Sequence, residues 1–149
     1  MGLCVQTLAV IAAAMHAAKE GKNDERRPPA LPSLIVCPTT LVGHWMAEAA
    51  KWFGRFGMRT LKYQGTLDVR LAVQRQARWS VDTLVVTSYE CVRADVAWLS
   101  QKPFLYCVLD EGHIIRNGKT KVTKACKQVS LACFCVSSAS GTAVTHAML

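Results

Sequence analysis

Apolar residues along the chain follow two alternating rhythms. Short runs rich in β-branched or aromatic residues predict strands at 33–37, 59–63, 83–87, 104–110 and 131–137. Longer stretches with a helical period predict helices at 6–19, 41–53, 66–79, 89–99 and 120–127. Strands that alternate with helices make βαβ units and a mostly parallel sheet. The run Leu-Tyr-Cys-Val-Leu at 105–109 is nearly continuous in its apolarity, so both of its faces need cover. Helices on either side of a sheet supply it, and the expected fold is a three-layer α/β sandwich. Residues 20–32 hold Gly, Asn, charge and three prolines without an apolar period, which predicts a surface loop. The chain shows no internal repeat, and so short a polar insert does not divide it into domains.

Composition agrees with a packed core. Of 149 residues, 51% are hydrophobic and 19% charged, far from the balance that keeps chains disordered. No apolar run approaches the roughly 20 residues that span a bilayer, and the N-terminus lacks the basic segment of a signal peptide. A soluble, intracellular protein without a membrane partner is expected. The net charge of +8 is unevenly placed, because every acidic residue lies at or before Glu111 while Arg116, Lys119, Lys121, Lys124 and Lys127 follow it. Such a basic stretch attracts polyanions by counterion release, although a solvated helix face has the same composition. Seven cysteines, without paired C-x-x-C spacing, read as reduced structural thiols, and the four histidines lack metal-ligand spacing. The tryptophans Trp45, Trp52, Trp79 and Trp98 fall at helical positions and read as packing residues.

The segment FLYCVLDEGHIIRN, residues 104–117, carries the clearest chemistry. A buried strand ends abruptly in Asp110-Glu111-Gly112-His113. A carboxylate at the C-terminal edge of a parallel strand faces the crevice where open α/β sheets bind ligands. Successive side chains on a strand point to opposite faces, so the two acids have two different tasks. In P-loop ATPases such an aspartate holds Mg²⁺ and a neighbouring carboxylate orients water, whereas the tetrapeptide taken alone reads equally as a polar turn after a strand.

Three segments then share one family resemblance. VLDEGHIIRNGKTKVTKACK at 108–127 resembles the DEGH box and following segment of the SWI/SNF-type branch of superfamily-two helicases. LIVCPTTLVGHW at 34–45 is similar to that family's motif Ia, and TLVVTSY at 83–89 to its strand and turn between motifs Ia and II. Within the family the wording is most like that of the branch that removes TATA-box-binding protein from promoters. The resemblance implies a RecA-like, P-loop NTPase lobe, an incomplete helicase ATP-binding domain occupying 1–149 and acting in the nucleus. It implies ATP and Mg²⁺ as cofactors and double-stranded DNA as a partner, with TATA-binding protein or a nucleosome as the protein acted upon. Residue by residue, it makes Asp110 and Glu111 catalytic. Gly2, Leu3, Gln6, Asp110 and His113 become nucleotide contacts, with Asp110 on the metal. Pro38, Thr39, Thr40, Ser88 and Tyr89 then face DNA, while Ser140, Gly141 and Thr142 form the coupling motif III. Thr39 or Thr40 is also expected to cap the helix that follows.

The ends depart from the family. Where the phosphate loop reads approximately Met-Gly-Leu-Gly-Lys-Thr, this sequence has Met1-Gly2-Leu3-Cys4-Val5-Gln6. The lysine that neutralises phosphate and the hydroxyl that binds Mg²⁺ are absent. Lys19, at the far end of the first helix, lies ~20 Å away at about 1.5 Å per residue. After Ser140-Gly141-Thr142, the family's Pro-Ile-Gln-Asn is replaced by Ala143-Val144-Thr145-His146. These departures predict no ATP hydrolysis by the 149 residues alone. Two other readings use the same residues: a non-catalytic lobe that binds DNA or protein through its basic 119–127 segment, and a partial domain prone to aggregate through an open sheet edge.

Overall fold

The computed structural model describes residues 2–20, 31–54, 57–76, 79–130, 134–139 and 142–146. The strands are β1 (Ser33–Cys37), β2 (Arg59–Tyr63), β3 (Thr83–Ser88), β4 (Tyr106–Asp110), β5 (Phe134–Ala139) and β6 (Thr142–His146). The helices are α1 (Gly2–Glu20), α2 (Val42–Phe53), α3 (Leu67–Gln76), α4 (Tyr89–Ala94), α5 (Val96–Leu99) and α6 (Lys121–Ser130). All six strands form one sheet in the order β2-β3-β1-β4-β5-β6. Strands β2, β3, β1, β4 and β5 run parallel, and β6 runs antiparallel to β5.

The pleat sends alternate side chains to opposite faces and so sorts the core into two halves. Leu34 and Val36 of β1, Val85 of β3 and Cys107 and Leu109 of β4 pack with Val92, Leu99, Cys126 and Val129 from α4, α5 and α6. Ile35, Cys37, Leu84, Val86 and Val108 face the other way, onto α1 and α2. Each middle strand is buried on both sides, as its apolar run predicts. Burying one such aliphatic side chain stabilises by about 1.5–3 kcal/mol. That term sets helix α6, whose Val122, Thr123 and Val129 are poor intrinsic helix formers costing less than about 0.7 kcal/mol each. Thr123, Ala125, Cys126 and Val129 are buried, while Lys121, Lys124 and Lys127 stay exposed on the outer face. Cys37, Cys91, Cys107 and Cys126 are buried thiols, in keeping with their reading as small apolar residues. Among the described residues no helix is long and apolar enough to cross a membrane.

Several elements differ from the sequence expectation: α1 starts at Gly2 rather than residue 6, α6 runs on to Ser130 and β5 to Ala139. The helix expected over 89–99 breaks at Asp95, whose backbone (φ −115°, ψ 26°) is not helical. Strand β6 had no expected counterpart, although the Ser140-Gly141 pair before it is a common turn signal. Strand β4 begins at Tyr106 rather than 104, and just ahead of it Leu105 N–H is donated to the Pro32 carbonyl at 2.7 Å. The loop expected at 20–32 falls mainly on residues 21–30, outside the described residues.

The break at Asp95 has a cause in its side chain. Asp95 Oδ2 accepts from Arg70 Nε at 2.6 Å and from the Tyr63 hydroxyl at 2.6 Å, and Oδ1 accepts from Arg70 Nη2 at 3.3 Å. Gln74 Nε2 donates to the same Tyr63 hydroxyl at 2.6 Å. The carboxylate therefore ties β2 and α3 to the α4–α5 junction instead of capping α5. Around it, the Tyr63 ring stacks on Trp98 at 5.8 Å and 4°, and Trp79 meets Trp98 edge-on at 4.9 Å. Trp79 and Trp98 are thus packing residues, whereas Trp52 is 47% exposed.

Burial works to raise the Asp95 carboxyl, but the hydrogen bonds from Arg70 and Tyr63 overcome it and hold the group below the usual aspartate range. A carboxyl depressed on folding stabilises the fold fully above its unfolded value of ~3.9, and that contribution is lost as pH falls through the lower, folded value. The Arg70 and Asp95 side chains are only 12% and 11% exposed, so Asp95→Ala leaves a nearly buried guanidinium without its partner. It is expected to destabilise the protein by about 3 kcal/mol. Urea titrations between pH 7 and pH 3 should show wild-type stability falling below pH ~4, with a smaller fall in the Asp95→Ala variant.

Candidate functional site at the carboxyl edge of the sheet

Parallel strands deliver their C-terminal ends to one edge. Register pairs Cys37 with Ser88, Tyr63 with Thr87, and Val36 with Leu109. The turns after β1, β2, β3 and β4 therefore emerge side by side, and with them come residues 38–40, 64–65, 88–90 and 110–113.

At the exit of β4, Asp110 is held from three directions. Its Oδ2 accepts from Trp45 Nε1 at 2.8 Å, its Oδ1 from the Glu111 N–H at 3.0 Å, and its carbonyl from the Tyr89 hydroxyl at 2.6 Å. Trp45 is 2% exposed and sits on the first turns of α2; an indole N–H so buried needs an acceptor. Tyr89 is likewise 2% exposed. Burial pushes its phenol well above the usual range, with Cys126 and Asp110 adding to the effect, so it remains a donor at any working pH.

Glu111 adopts the left-handed conformation, φ 55° and ψ 48°, and is the one non-glycine residue with positive φ among the described residues. For a side chain with a Cβ that is an uncommon backbone state. It turns the chain into a 3₁₀ turn at Gly112–Ile115 and sends Glu111 away from Asp110. Glu111 Oε2 lies 3.0 Å from His113 Nδ1, with both side chains about half exposed. The two acids therefore have different partners.

The motif Ia turn is built differently from expectation. Residues Thr39–Leu41 form a 3₁₀ turn that begins after Pro38, and α2 starts at Val42. Neither threonine caps a helix; the Thr39 hydroxyl donates to Glu90 Oε2 at 2.6 Å instead. Ser88 caps α4, accepting from the Cys91 N–H at 3.3 Å. Thr39, Lys62, Gln64, Gly65, Ser88 and Glu90 line an open cleft of about 360 Å³. Gly65 shapes its rim at φ 115°, a conformation that favours glycine, with its carbonyl held by Arg70 Nη1 at 2.6 Å.

Of the other sequence-predicted residues, Gly2, Leu3 and Gln6 lie in the first turns of α1, not in a loop. Thr142 opens β6, while Ser140 and Gly141 lie outside the described residues. Sequence reading missed Trp45, Lys62, Gln64 and Glu90 as site residues. A tryptophan in the helix after a strand-end turn was the one legible signal among them.

Asp110 suits a Mg²⁺ ligand: only neutral donors contact it, and among the described residues no Lys or Arg pairs with it. A triphosphate fits less well. Lys19 Nζ lies 4.0 Å from Asp82 Oδ2, just before β3 and therefore at the opposite edge of the sheet from Asp110. It does not replace the missing phosphate-loop lysine.

This mostly parallel α/β sheet, with an acid pair at the exit of a central strand, has the fold of a RecA-like lobe. The chain belongs to the SNF2-related domain family, whose profile matches residues 1–138. It is 41% identical over 134 residues to human TATA-binding protein-associated factor 172, and 39% identical over 134 residues to TATA-binding protein-associated factor MOT1 of Saccharomyces cerevisiae. Each alignment covers 87% of this chain but 7% of the relative, so the chain spans a small part of their length. Among solved structures, the Sulfolobus solfataricus SWI2/SNF2 ATPase core in complex with dsDNA matches with a TM-score of 0.64 and 26% identity, over 86% of this chain and 23% of that one.

The Trp45 hydrogen bond makes a separable contribution. Trp45→Phe keeps most of the ring but removes the donor to a charged acceptor, and is expected to cost about 1–2 kcal/mol in urea unfolding. Trp52→Phe, at a half-exposed position without that bond, is expected to cost less than ~0.5 kcal/mol.

Proposed function

We propose that this chain is the first RecA-like lobe of a nuclear, DNA-dependent ATPase whose complete form moves along duplex DNA and displaces bound protein. The similarity to TATA-binding protein-associated factors makes TATA-binding protein the leading candidate for the protein displaced, ahead of a nucleosome. The observation that carries this reading is the convergence at one sheet edge of the Asp110 turn with the turns at 38–40 and 88–90, both tied to Asp110 by hydrogen bonds from Trp45 and Tyr89. In a complete motor Asp110 would hold Mg²⁺, and Glu111 would move from His113 to orient water. Pro38, Thr39 and Thr40 would meet a DNA strand, with the buried Ser88 capping α4 behind them, and motif III would pass the nucleotide state onward. Tyr89, being buried, serves the acid turn rather than the DNA surface.

The 149 residues by themselves bind duplex DNA and do not turn over ATP, because Gly2-Leu3-Cys4-Val5 offers neither a lysine nor a hydroxyl to the phosphates. Fluorescence anisotropy with a short duplex should show affinity falling roughly tenfold to a hundredfold between ~50 and ~200 mM salt, the behaviour of about two to four phosphate contacts. ATP and Mg²⁺ should leave that affinity unchanged. DNA-stimulated release of phosphate that disappears in Asp110→Ala would overturn the claim of inactivity.

A further inference from the structure

The cleft between the β1, β2 and β3 turns has an uneven chemistry. Thr39, Lys62, Gln64 and Ser88 bring hydroxyl, ammonium and amide donors to it, and Glu90 is the only acid that lines it among the described residues. The Glu90 carboxylate already accepts from the Thr39 hydroxyl at 2.6 Å. That hydroxyl bond first, then its own backbone N–H, the Ser88 hydroxyl and the Arg93 charge hold the carboxyl below the usual glutamate range against its partial burial. It is ionised at neutral pH, so a fixed negative charge occupies a pocket otherwise built from donors. Both Glu90 and Thr39 are solvent-exposed, so their bond is inexpensive to break.

We propose that Glu90 is an internal competitor for a DNA phosphate: its carboxylate occupies the Thr39 hydroxyl in the cleft, and a DNA strand must displace it to reach that donor. The proposal rests on the DNA-binding reading above. It assigns Glu90 a restraining role that weakens the resting grip on duplex DNA. A phosphate oxygen and a carboxylate oxygen make the same demand on a hydroxyl, so the exchange conserves the hydrogen bond. What changes on binding is that the Glu90 carboxylate gives up a charge-assisted bond from Thr39, which a glutamine amide oxygen accepts more weakly, while its repulsion with the strand adds a smaller, salt-screened part.

A double-mutant cycle tests this in the full 149-residue chain, using a fluorescent duplex at fixed salt. Glu90→Gln keeps the shape and removes the charge, and at an exposed position it does not threaten folding. It is expected to tighten binding about five- to tenfold, whereas Glu48→Gln, on α2 beside Lys51, should change it less than about twofold. The decisive comparison is Glu90→Gln in a Thr39→Val background, where most of that gain should be absent because the donor that the strand would take over is gone. An equal gain from Glu90→Gln with and without the Thr39→Val substitution would reduce Glu90 to a general charge effect and overturn the proposal. So would unchanged affinity in Glu90→Gln when the wild type binds. If none of the proteins binds DNA at low salt, the DNA-binding reading fails and takes this proposal with it.

Discussion

A sheet of parallel strands leaves no freedom about where its turns emerge: every strand enters at one edge and leaves at the other. With β2, β3, β1 and β4 adjacent and parallel, four chain turns must share the carboxyl edge. Because β1, β3 and β4 are covered on both faces, polar residues have few other places to be. The edge therefore collects Thr39, Gln64, Ser88, Glu90, Asp110 and Glu111 as a consequence of topology and burial. The remaining interactions at the edge refine this arrangement. Trp45 and Tyr89, rooted in the two cores, reach up to Asp110 and fix the β4 turn relative to its neighbours.

Much of this was legible in the sequence, for reasons that differ between elements. Strands β1 and β2 match their expected bounds because each is a short run closed by a residue that stops a strand, Pro38 after one and the Gln64-Gly65 pair after the other. The acid turn was legible because two carboxylates directly after a buried strand have no core role to fill. What escaped were features set by partners distant in sequence. The break at Asp95 depends on Arg70, 25 residues away, and the role of Trp45 on Asp110, 65 residues away. Periodicity reports which face a residue occupies and is silent on what its polar atom meets. The same limit explains the threonines: a hydroxyl near a helix start suggests a cap, but the 3₁₀ turn carries Thr39 to Glu90.

The two well-held aspartates show why one is structural and the other is available for chemistry. Asp95 receives a two-point guanidinium contact from Arg70 and a hydroxyl from Tyr63, so its charge is neutralised where it lies. Replacing it breaks a closed network, and nothing of it is left over for a ligand. Asp110 is positioned with comparable care, but by an indole, a backbone amide and a phenol, all uncharged. The indole and the amide fix the direction of the carboxylate and the phenol holds its backbone carbonyl, and none of them cancels the charge. A group held that way presents a net negative charge at a defined point on the sheet edge, the condition for receiving a divalent cation. Glu90 stands between the two cases: its charge is retained, and its hydroxyl partner is weak enough to exchange.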